Sequence, residues 1–190
     1  HIKLIVVGDC GSGKTCLLLS YTTNAFPGEI EPPAMMDNYS ANVRLDHQIF
    51  SVGFWDTTTR VYNKLAPITY PQSDFCLLVA SVVQPSQFEN IRSKWIPEVQ
   101  LGCPPSCKFL VVGTNIDQRD DPEVIAKLAE KNQKPMTTKD GLAFAESVGF
   151  PYVECSAKTQ EGVDKVFVTA LRLHHSYKPN KKQKESCQIS

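Results

Sequence analysis

The sequence lacks an excess of charge of either sign, since 20 Lys and Arg residues balance 20 Asp and Glu residues. This balance argues against a protein that binds nucleic acid through its overall charge, and we expect no nucleic-acid partner. Long apolar runs are also missing, because the longest, residues 75–80, is too short to span a bilayer. No internal repeat precedes the polar tail that begins near Ser176. With 190 residues, 42% of them hydrophobic, the chain fits one α/β domain, and we expect a monomer.

An even set of cysteines, as a disulfide framework would need, is also absent. Seven cysteines are present, and Cys76 and Cys155 lie in apolar, strand-like runs. Because no secretory signal precedes the first predicted strand, we expect reduced thiols and a cytoplasmic protein. Cys103 and Cys107 flank Pro-Pro-Ser, but a metal site would need two further ligands nearby. We therefore expect a structural loop at these two cysteines.

Apolar runs of strand length alternate with stretches of helical period, such as residues 163–171. The predicted buried strands are residues 2–7, 75–80, 109–112 and 152–155. Two further runs, residues 41–45 and 49–54, are close enough to form a hairpin. The sequence therefore predicts an α/β fold: a mostly parallel six-stranded sheet with one antiparallel strand, helices on both faces and ligands at the carboxyl ends of the strands.

A short charged helix is predicted at about residues 121–135. Asp121-Pro122-Glu123 is typical of a helix start, and Glu123 and Lys127 have the spacing of an i,i+4 ion pair. We expect this helix to lie on the surface.

The segment of residues 8–15 reads GDCGSGKT and lies between an apolar run and a predicted helix start. The spacing GxxxxGK[ST] directs consecutive backbone N–H groups into a concavity that holds phosphate. Lys14, a catalytic candidate, places a positive charge against the β- and γ-phosphates, and the Thr15 hydroxyl can ligate Mg²⁺. The predicted nucleotide-contacting residues are Asp9, Cys10, Gly11, Ser12, Gly13, Lys14, Thr15 and Cys16.

Two loops that follow predicted strands, residues 114–117 and 154–158, resemble the guanine-reading loops of small GTPases. The resemblance implies that the Asp117 carboxylate accepts hydrogen bonds from guanine and that the Ala157 N–H donates to guanine O6. Adenine presents the opposite pattern and would be rejected. Asn115 stands where many such proteins have Lys, which shortens the side chain that covers the base. The predicted base-side residues are Asn115, Asp117, Ser156, Ala157 and Lys158.

Three longer stretches, residues 18–29, 37–43 and 88–92, resemble the Rac branch of the Rho family of small GTPases. This resemblance covers essentially the whole chain. It implies a Ras-like G domain with the P-loop NTPase fold over residues 1–175, in which the charged helix is the Rho-type insert. It also implies a molecular switch in cytoskeleton-type signalling that binds GTP or GDP with Mg²⁺ and hydrolyses GTP.

The resemblance also assigns roles to individual residues. Thr15 and Asp56 would hold Mg²⁺, Phe26 would pack edge-on against guanine, and Trp55 would lie on the surface that exchange factors read. The implied effector region is Asp37, Asn38 and Tyr39. The implied partners are guanine-nucleotide exchange factors, GTPase-activating proteins, a guanine-nucleotide dissociation inhibitor and Rac-type effectors.

The tail, residues 176–190, carries four lysines against Glu185 and ends in Cys187-Gln188-Ile189-Ser190. This ending matches a CaaX box, and a terminal Ser favours farnesylation of Cys187, although Gln188 is not aliphatic. The lysines supply the second signal that stable anchoring to an anionic membrane needs. We expect the protein to cycle between the cytoplasm and the cytoplasmic face of the plasma membrane.

Both switch segments depart from the family pattern. The position of the Mg²⁺-ligating Thr falls on Pro33 or Ala34, and neither residue has a hydroxyl. Thr59 replaces the Gly that contacts the γ-phosphate, and Arg60 occupies the site of the water-positioning Gln. In the phosphate loop, Cys10 replaces the second glycine of the family pattern and adds a side chain close to the γ-phosphate. A guanidinium has no hydrogen-bond acceptor, so Arg60 cannot orient the attacking water as an amide can. We expect slow or absent hydrolysis, although Arg60 is equally well interpreted as an exposed surface charge.

These departures leave several interpretations of the sequence open. The protein is a poorly hydrolysing switch if its altered segments still close on GTP, and a non-catalytic scaffold or decoy for Rho regulators if they do not. An ATP-dependent phosphotransferase is disfavoured by the two base loops. The first switch segment, residues 29–37, is one residue longer than the Rac pattern, and the second is one residue short before Tyr62. A drifted copy without regulated switching also fits these length changes.

Overall fold

A computed structural model describes residues 2–27, 38–57 and 69–175. Its six strands are β1 Ile2–Val7, β2 Asn38–Leu45, β3 Gln48–Asp56, β4 Phe75–Ser81, β5 Lys108–Thr114 and β6 Tyr152–Glu154. Its helices are α1 Lys14–Thr23, α2 Ser86–Asn90, α3 Ile96–Gly102, α4 Pro122–Ala129, α5 Thr138–Val148 and α6 Val163–His175. A π-helical turn, Ile91–Trp95, joins α2 to α3, and a 3₁₀ turn, Ile116–Gln118, follows β5.

The strands form one sheet in the order β2-β3-β1-β4-β5-β6. Strands β2 and β3 are antiparallel and form the predicted hairpin, whose turn residue Asp46 has a positive φ of 53°. The other four pairings are parallel. The predicted α/β fold is therefore confirmed, including its single antiparallel strand.

Apolar side chains of the central strand β1 point alternately to two separate cores. Leu4 and Val6 lie in a core that α1 and α6 complete, whereas Ile5 and Val7 lie in a core that α2, α3 and α5 complete. This alternation follows from the two-residue period of a strand, and it places helices on both faces of the sheet. Among the described residues, no helix has the length and apolar character needed to cross a bilayer.

Helix α4 begins where the sequence predicts and ends earlier. The Asp121 side chain caps it by accepting a hydrogen bond from the Glu123 backbone N–H at 2.9 Å. The helix stops at Ala129, well before the predicted end near residue 135. Asn132 has a positive φ of 54°, and the Gln133 N–H donates back to the Leu128 carbonyl at 2.9 Å. These contacts satisfy the last carbonyls of the helix, so the chain turns away from it.

Candidate nucleotide-binding site

The loop of residues 8–13 connects β1 to α1 at the carboxyl edge of the sheet. Gly13 caps α1 in the left-handed conformation with a φ of 87°. A Cβ atom at this position would lie 3.2 Å from the Thr114 Oγ1 atom. The Thr114 hydroxyl itself donates to the Ser12 carbonyl at 2.6 Å. Glycine at position 13 therefore allows the end of β5 to hold the loop directly.

Lys14 extends its side chain into the concave side of this loop. Its Nζ atom donates to the Gly8 carbonyl at 2.8 Å and to the Asp9 carbonyl at 2.7 Å, and the residue is only 4% exposed. Burial lowers the pKa of Lys14, and the nearby Asp56 carboxylate acts in the opposite direction. A buried ammonium inside a loop that begins a helix is an environment that favours an anion.

Thr15 and Asp56 meet next to the loop, as the predicted Mg²⁺ site requires. The Thr15 hydroxyl donates to the Asp56 carboxylate, and both residues are buried. A hydroxyl and a single carboxylate are too few ligands for a closed metal site, but they suit Mg²⁺, which takes its remaining ligands from phosphate and water. The donor set therefore fits the predicted ion. The following residue, Thr57, donates from its hydroxyl to the Val6 carbonyl at 2.6 Å and so fixes the end of β3 against β1.

The outer side of the loop is held by the helical segment that starts at α2. The Asp9 carboxylate accepts hydrogen bonds from Asn90 Nδ2 at 2.6 Å and from Trp95 Nε1 at 2.8 Å. The contact of Asp9 with nucleotide stays a prediction. The Cys10 carbonyl accepts from Gln87 Nε2 at 3.3 Å. The sequence predicts none of these anchoring residues, because more than 70 positions separate them from the loop and they form no local motif.

The two predicted base-reading loops lie side by side at the ends of β5 and β6. The Ser156 hydroxyl donates to the Asp117 Oδ1 atom at 2.6 Å, and the Ser156 hydroxyl also accepts from the Thr159 N–H at 3.1 Å. Asn115 adopts a left-handed conformation and donates to the Ser81 hydroxyl at 3.1 Å. Ala157 is buried, whereas Lys158 is exposed. The structure thus brings the predicted base-side residues together and fixes the orientation of the Asp117 carboxylate.

The remaining predicted residues are placed less completely. Phe26 follows α1 and is 41% exposed, so it is available to cover a base. Cys10, Gly11 and Cys16 lie at or near the solvent side of the loop. The backbone of Asn38 and Tyr39 begins β2, but their side chains lie outside the described residues. Also outside them are Asp37, Thr59, Arg60 and Cys187, and the roles of all these residues stay predictions.

A polar network surrounds Glu154, the first residue of the second base loop (residues 154–158). The Glu154 carboxylate pairs with Arg119 at 2.5 Å and accepts from the Tyr152 hydroxyl and the Thr138 hydroxyl, each at 2.8 Å. Arg119 also donates from Nε to the Met136 carbonyl at 2.8 Å. Burial raises the pKa of Tyr152, and the neighbouring Glu154 carboxylate adds to this effect. The phenol therefore stays protonated in the folded protein at pH values where an unfolded tyrosine ionises.

This difference predicts a loss of stability in alkali to which Tyr152 contributes. Below about pH 10 the tyrosine is protonated in both states and contributes no slope. Above it, only the unfolded chain releases the proton, so the free energy of unfolding falls by about 1.4 kcal/mol per pH unit for this group. Between pH 9 and pH 11, about one unit either side of a tyrosine's ordinary pKa, this group should account for a total loss of about 1.4 kcal/mol, and Tyr152→Phe should remove that loss in urea unfolding.

Tyr21→Phe provides the matched control for this prediction. Burial raises the pKa of Tyr21 to about 12, so its removal should also reduce the slope above pH 10. Tyr21 lies near Asp164 and stacks on Phe167, away from the base loops, so it tests the same titration at a different place. An unchanged slope in Tyr152→Phe, with a reduced slope in Tyr21→Phe, would contradict the assignment.

A comparison with protein families agrees with this geometry. The protein-family model of the Ras family matches residues 3–176 of this chain. The match begins in β1 and runs past α6, so it includes the phosphate loop, the Thr15 and Asp56 pair and both base loops. Ras-family proteins are small GTPases that bind GTP and GDP with Mg²⁺, generally hydrolyse GTP and generally interact with exchange factors, activating proteins and effectors. The chain belongs to the Ras family and is a small GTPase, a GTP-binding switch.

Proposed function

We propose that this Ras-family protein is a Rho-type, Rac-like switch that binds GTP tightly and hydrolyses it slowly. The observation that carries the proposal is the contrast between two parts of one site. The phosphate and base loops have their binding groups assembled, while the residues at the hydrolytic positions depart from the family pattern at Cys10, Thr59 and Arg60. Helix α4, between β5 and β6, supports the Rho-type assignment because it lies where that family has its insert.

Binding follows from the chain's own groups. The Lys14 ammonium exchanges its backbone carbonyl partners for the β- and γ-phosphates, which replaces neutral acceptors with charged ones. The Thr15 hydroxyl and the Asp56 carboxylate hold Mg²⁺, which supplies further positive charge to the phosphates. The Asp117 carboxylate and the Ala157 N–H select guanine.

Slow hydrolysis follows from what the site lacks near the γ-phosphate. Cys10 is exposed on the loop, so its thiol occupies space that a glycine would leave for the attacking water or an inserted arginine. Arg60 offers donors only, and these favour retention of GTP over activation of water. The loss of one preorganised group of this kind typically costs about 10²–10³ in rate.

The proposal also covers the partners of the protein and its location in the cell. Residues 37–39 precede or begin β2 and would contact Rac-type effectors, and Trp55, which pairs with Asn38 across the hairpin, would contact exchange factors. Activating proteins and a dissociation inhibitor would complete the cycle. A farnesylated Cys187 and the tail lysines would hold the protein on an anionic leaflet at the cytoplasmic face of the plasma membrane.

A second candidate function is a non-catalytic scaffold or decoy that occupies Rho regulators. The loss of the hydroxyl at Pro33 and Ala34 favours it, because this hydroxyl couples Mg²⁺ to closure of the first switch segment. Nucleotide content distinguishes the two functions. A switch that fails only in hydrolysis carries GTP, and a scaffold that cannot close on nucleotide is empty after purification.

The experiment measures the nucleotide released from freshly purified full-length protein, followed by single-turnover GTP hydrolysis with and without a Rho-type activating protein. We expect stoichiometric GTP and a hydrolysis rate that the activating protein does not raise. The double variant Cys10→Gly with Arg60→Gln should hydrolyse GTP about 10²-fold faster. Cys10→Gly with Arg60→Lys is the matched control and should not, because lysine has no acceptor. Bound GDP in the unmodified protein would overturn slow hydrolysis.

A further inference from the structure

The second base loop makes a contact with helix α1 that the proposed recognition of guanine does not use. The Ser20 hydroxyl of α1 donates to the Ala157 carbonyl at 2.9 Å, across 137 positions of the sequence. Ser20 is completely buried, with 0% of its surface exposed. A buried hydroxyl needs a hydrogen-bond partner, and here the partner belongs to the base loop. The contact therefore joins the helix that begins at the phosphate loop to the loop that is predicted to read the base.

Gln160 completes this contact and determines the direction of its hydrogen bonds. The Gln160 Nε2 group donates to the Ser20 hydroxyl and also, at 3.3 Å, to the Ala157 carbonyl. A carbonyl oxygen only accepts, so the Ser20 proton points to Ala157 while the Ser20 oxygen accepts from the Gln160 amide. Ser20, Gln160 and the Ala157 carbonyl therefore form a closed set of hydrogen bonds, which we call the Ser20 network.

The Ala157 N–H, which is predicted to donate to guanine O6, lies between two peptide groups that are held in place. On one side, the Ser156 N–H donates to the Glu161 carbonyl at 2.8 Å. On the other side, the Ser20 network holds the Ala157 carbonyl. Among the residues that the structure describes, none accepts a hydrogen bond from the Ala157 N–H itself. Because each residue has only two soft dihedral angles, fixing both neighbouring peptides restricts the direction of this N–H.

Helix α1 carries both the Ser20 network and a phosphate-binding group. Lys14 begins the helix, and Ser20 follows it at about 9 Å along the helix axis. The helix therefore sets the distance between the phosphate loop and the Ala157 N–H. The Asp117 carboxylate has a different support, since it accepts from the Ser156 hydroxyl at 2.6 Å. The two predicted contacts with guanine are thus held by separate side chains, and each can be tested without the other.

We propose that Ser20, together with Gln160, is a positioning residue that sets the discrimination of the site at guanine O6. It acts through the Ala157 N–H and does not touch the base. The inference rests on the proposed reading of O6 by Ala157, and it is independent of the proposed slow hydrolysis. Without the Ser20 hydroxyl, the Ala157 carbonyl keeps only the longer hydrogen bond from Gln160, so the hydrogen bond to O6 weakens. The contacts of Asp117 with the base stay as they are, because Ser156 supports them.

Competition binding of three nucleoside diphosphates to the full-length protein with Mg²⁺ tests the proposal. The probes are GDP, 6-thioguanosine diphosphate, whose sulfur accepts hydrogen bonds only weakly in place of O6, and inosine diphosphate, which lacks the exocyclic amine. None of them has a γ-phosphate to hydrolyse. We expect the unmodified protein to prefer GDP over the 6-thio analogue by about 5–10-fold, and Ser20→Ala to reduce this preference to about twofold. The preference for GDP over inosine diphosphate reports on Asp117 and should not change.

Two further variants keep the test independent of the folding of Ser20→Ala. Gln160→Met removes the amide donors from a partly exposed position and should lower the preference for GDP over the 6-thio analogue in the same direction. Thr22→Val is the matched control, because its hydroxyl also lies on α1 but donates to carbonyls of that same helix, Leu18 at 2.9 Å and Leu19 at 3.2 Å. Both nucleotide preferences should stay unchanged in this control.

The outcomes distinguish a failure of this proposal from a failure of the proposed base recognition. If the unmodified protein binds GDP and the 6-thio analogue equally, Ala157 does not read O6, and both are wrong. If the unmodified protein discriminates, and Ser20→Ala and Gln160→Met discriminate equally well, the reading of O6 stands and the role of Ser20 is wrong. An equal loss of affinity for all three diphosphates in Ser20→Ala would indicate a purely structural role and would also overturn the proposal.

Discussion

Asp117→Asn is expected to weaken GTP binding by about 10²–10⁴-fold. In the proposed complex the carboxylate accepts two hydrogen bonds from guanine, and each hydrogen bond to a charged group contributes about 1.5–3 kcal/mol. An asparagine amide keeps one acceptor but turns a donor toward a donor of the base, so one pair becomes repulsive. Ser156 strengthens the expectation, because its hydroxyl holds Asp117 Oδ1 at 2.6 Å and limits rotation away from the base.

The measurement is the equilibrium dissociation constant of a fluorescent GTP analogue, with the same analogue of ATP for comparison. Asp120→Asn is the matched control, because it removes one negative charge from an exposed position three residues further along the chain. This control should bind GTP like the unmodified protein. Equal affinities of Asp117→Asn and Asp120→Asn for GTP would contradict the role of Asp117 in reading the base.

Local sequence patterns predict most of the fold, the phosphate loop and the two base loops. Residues 2–7 are apolar except for Lys3 and precede a glycine-rich motif. This order predicts a strand, a loop and a helix start, and the structure has β1 and α1 at those places. The hairpin was readable because two apolar runs have a three-residue polar connection. These features depend on neighbours in sequence, which is why composition and spacing predict them.

Local sequence patterns do not predict contacts between residues that are far apart in the sequence. The Asp9 carboxylate is held by Asn90 and Trp95, which lie more than 80 positions further along the chain. Helix α4 ends at Ala129, and the chain turns where Asn132 adopts a left-handed conformation. The spacing of apolar residues does not predict this backbone conformation. Each case is decided by tertiary packing or by one backbone angle.

Gly8→Ala is expected to abolish measurable GTP binding and to destabilise the fold by about 2–5 kcal/mol. Gly8 has a φ of 149°, and a Cβ atom there would lie 2.2 Å from the Val79 carbonyl oxygen in β4. That oxygen belongs to a central strand in the sheet, so it cannot move without disturbing the pairing of β4 with β1 and β5. The loop must shift instead, and the Lys14 ammonium, which bonds to the Gly8 carbonyl, shifts with it.

Gly149→Ala separates the backbone penalty of a positive φ from the steric clash between a Cβ atom and a neighbouring strand. Gly149 also has a positive φ, 79°, but nothing lies within 4 Å of the Cβ atom it would gain. This control carries only the backbone penalty of about 1–2 kcal/mol, and it should keep its affinity for GTP. Thermal unfolding of nucleotide-free protein and titration with labelled GTP measure both quantities, at about 2–4 °C per kcal/mol. If Gly8→Ala bound GTP as tightly as Gly149→Ala, close contact between the loop and β4 would not be what shapes the phosphate site. If its binding is lost while Gly149→Ala retains binding, the central sheet sets the position of the loop, and Lys14 acts from that fixed frame.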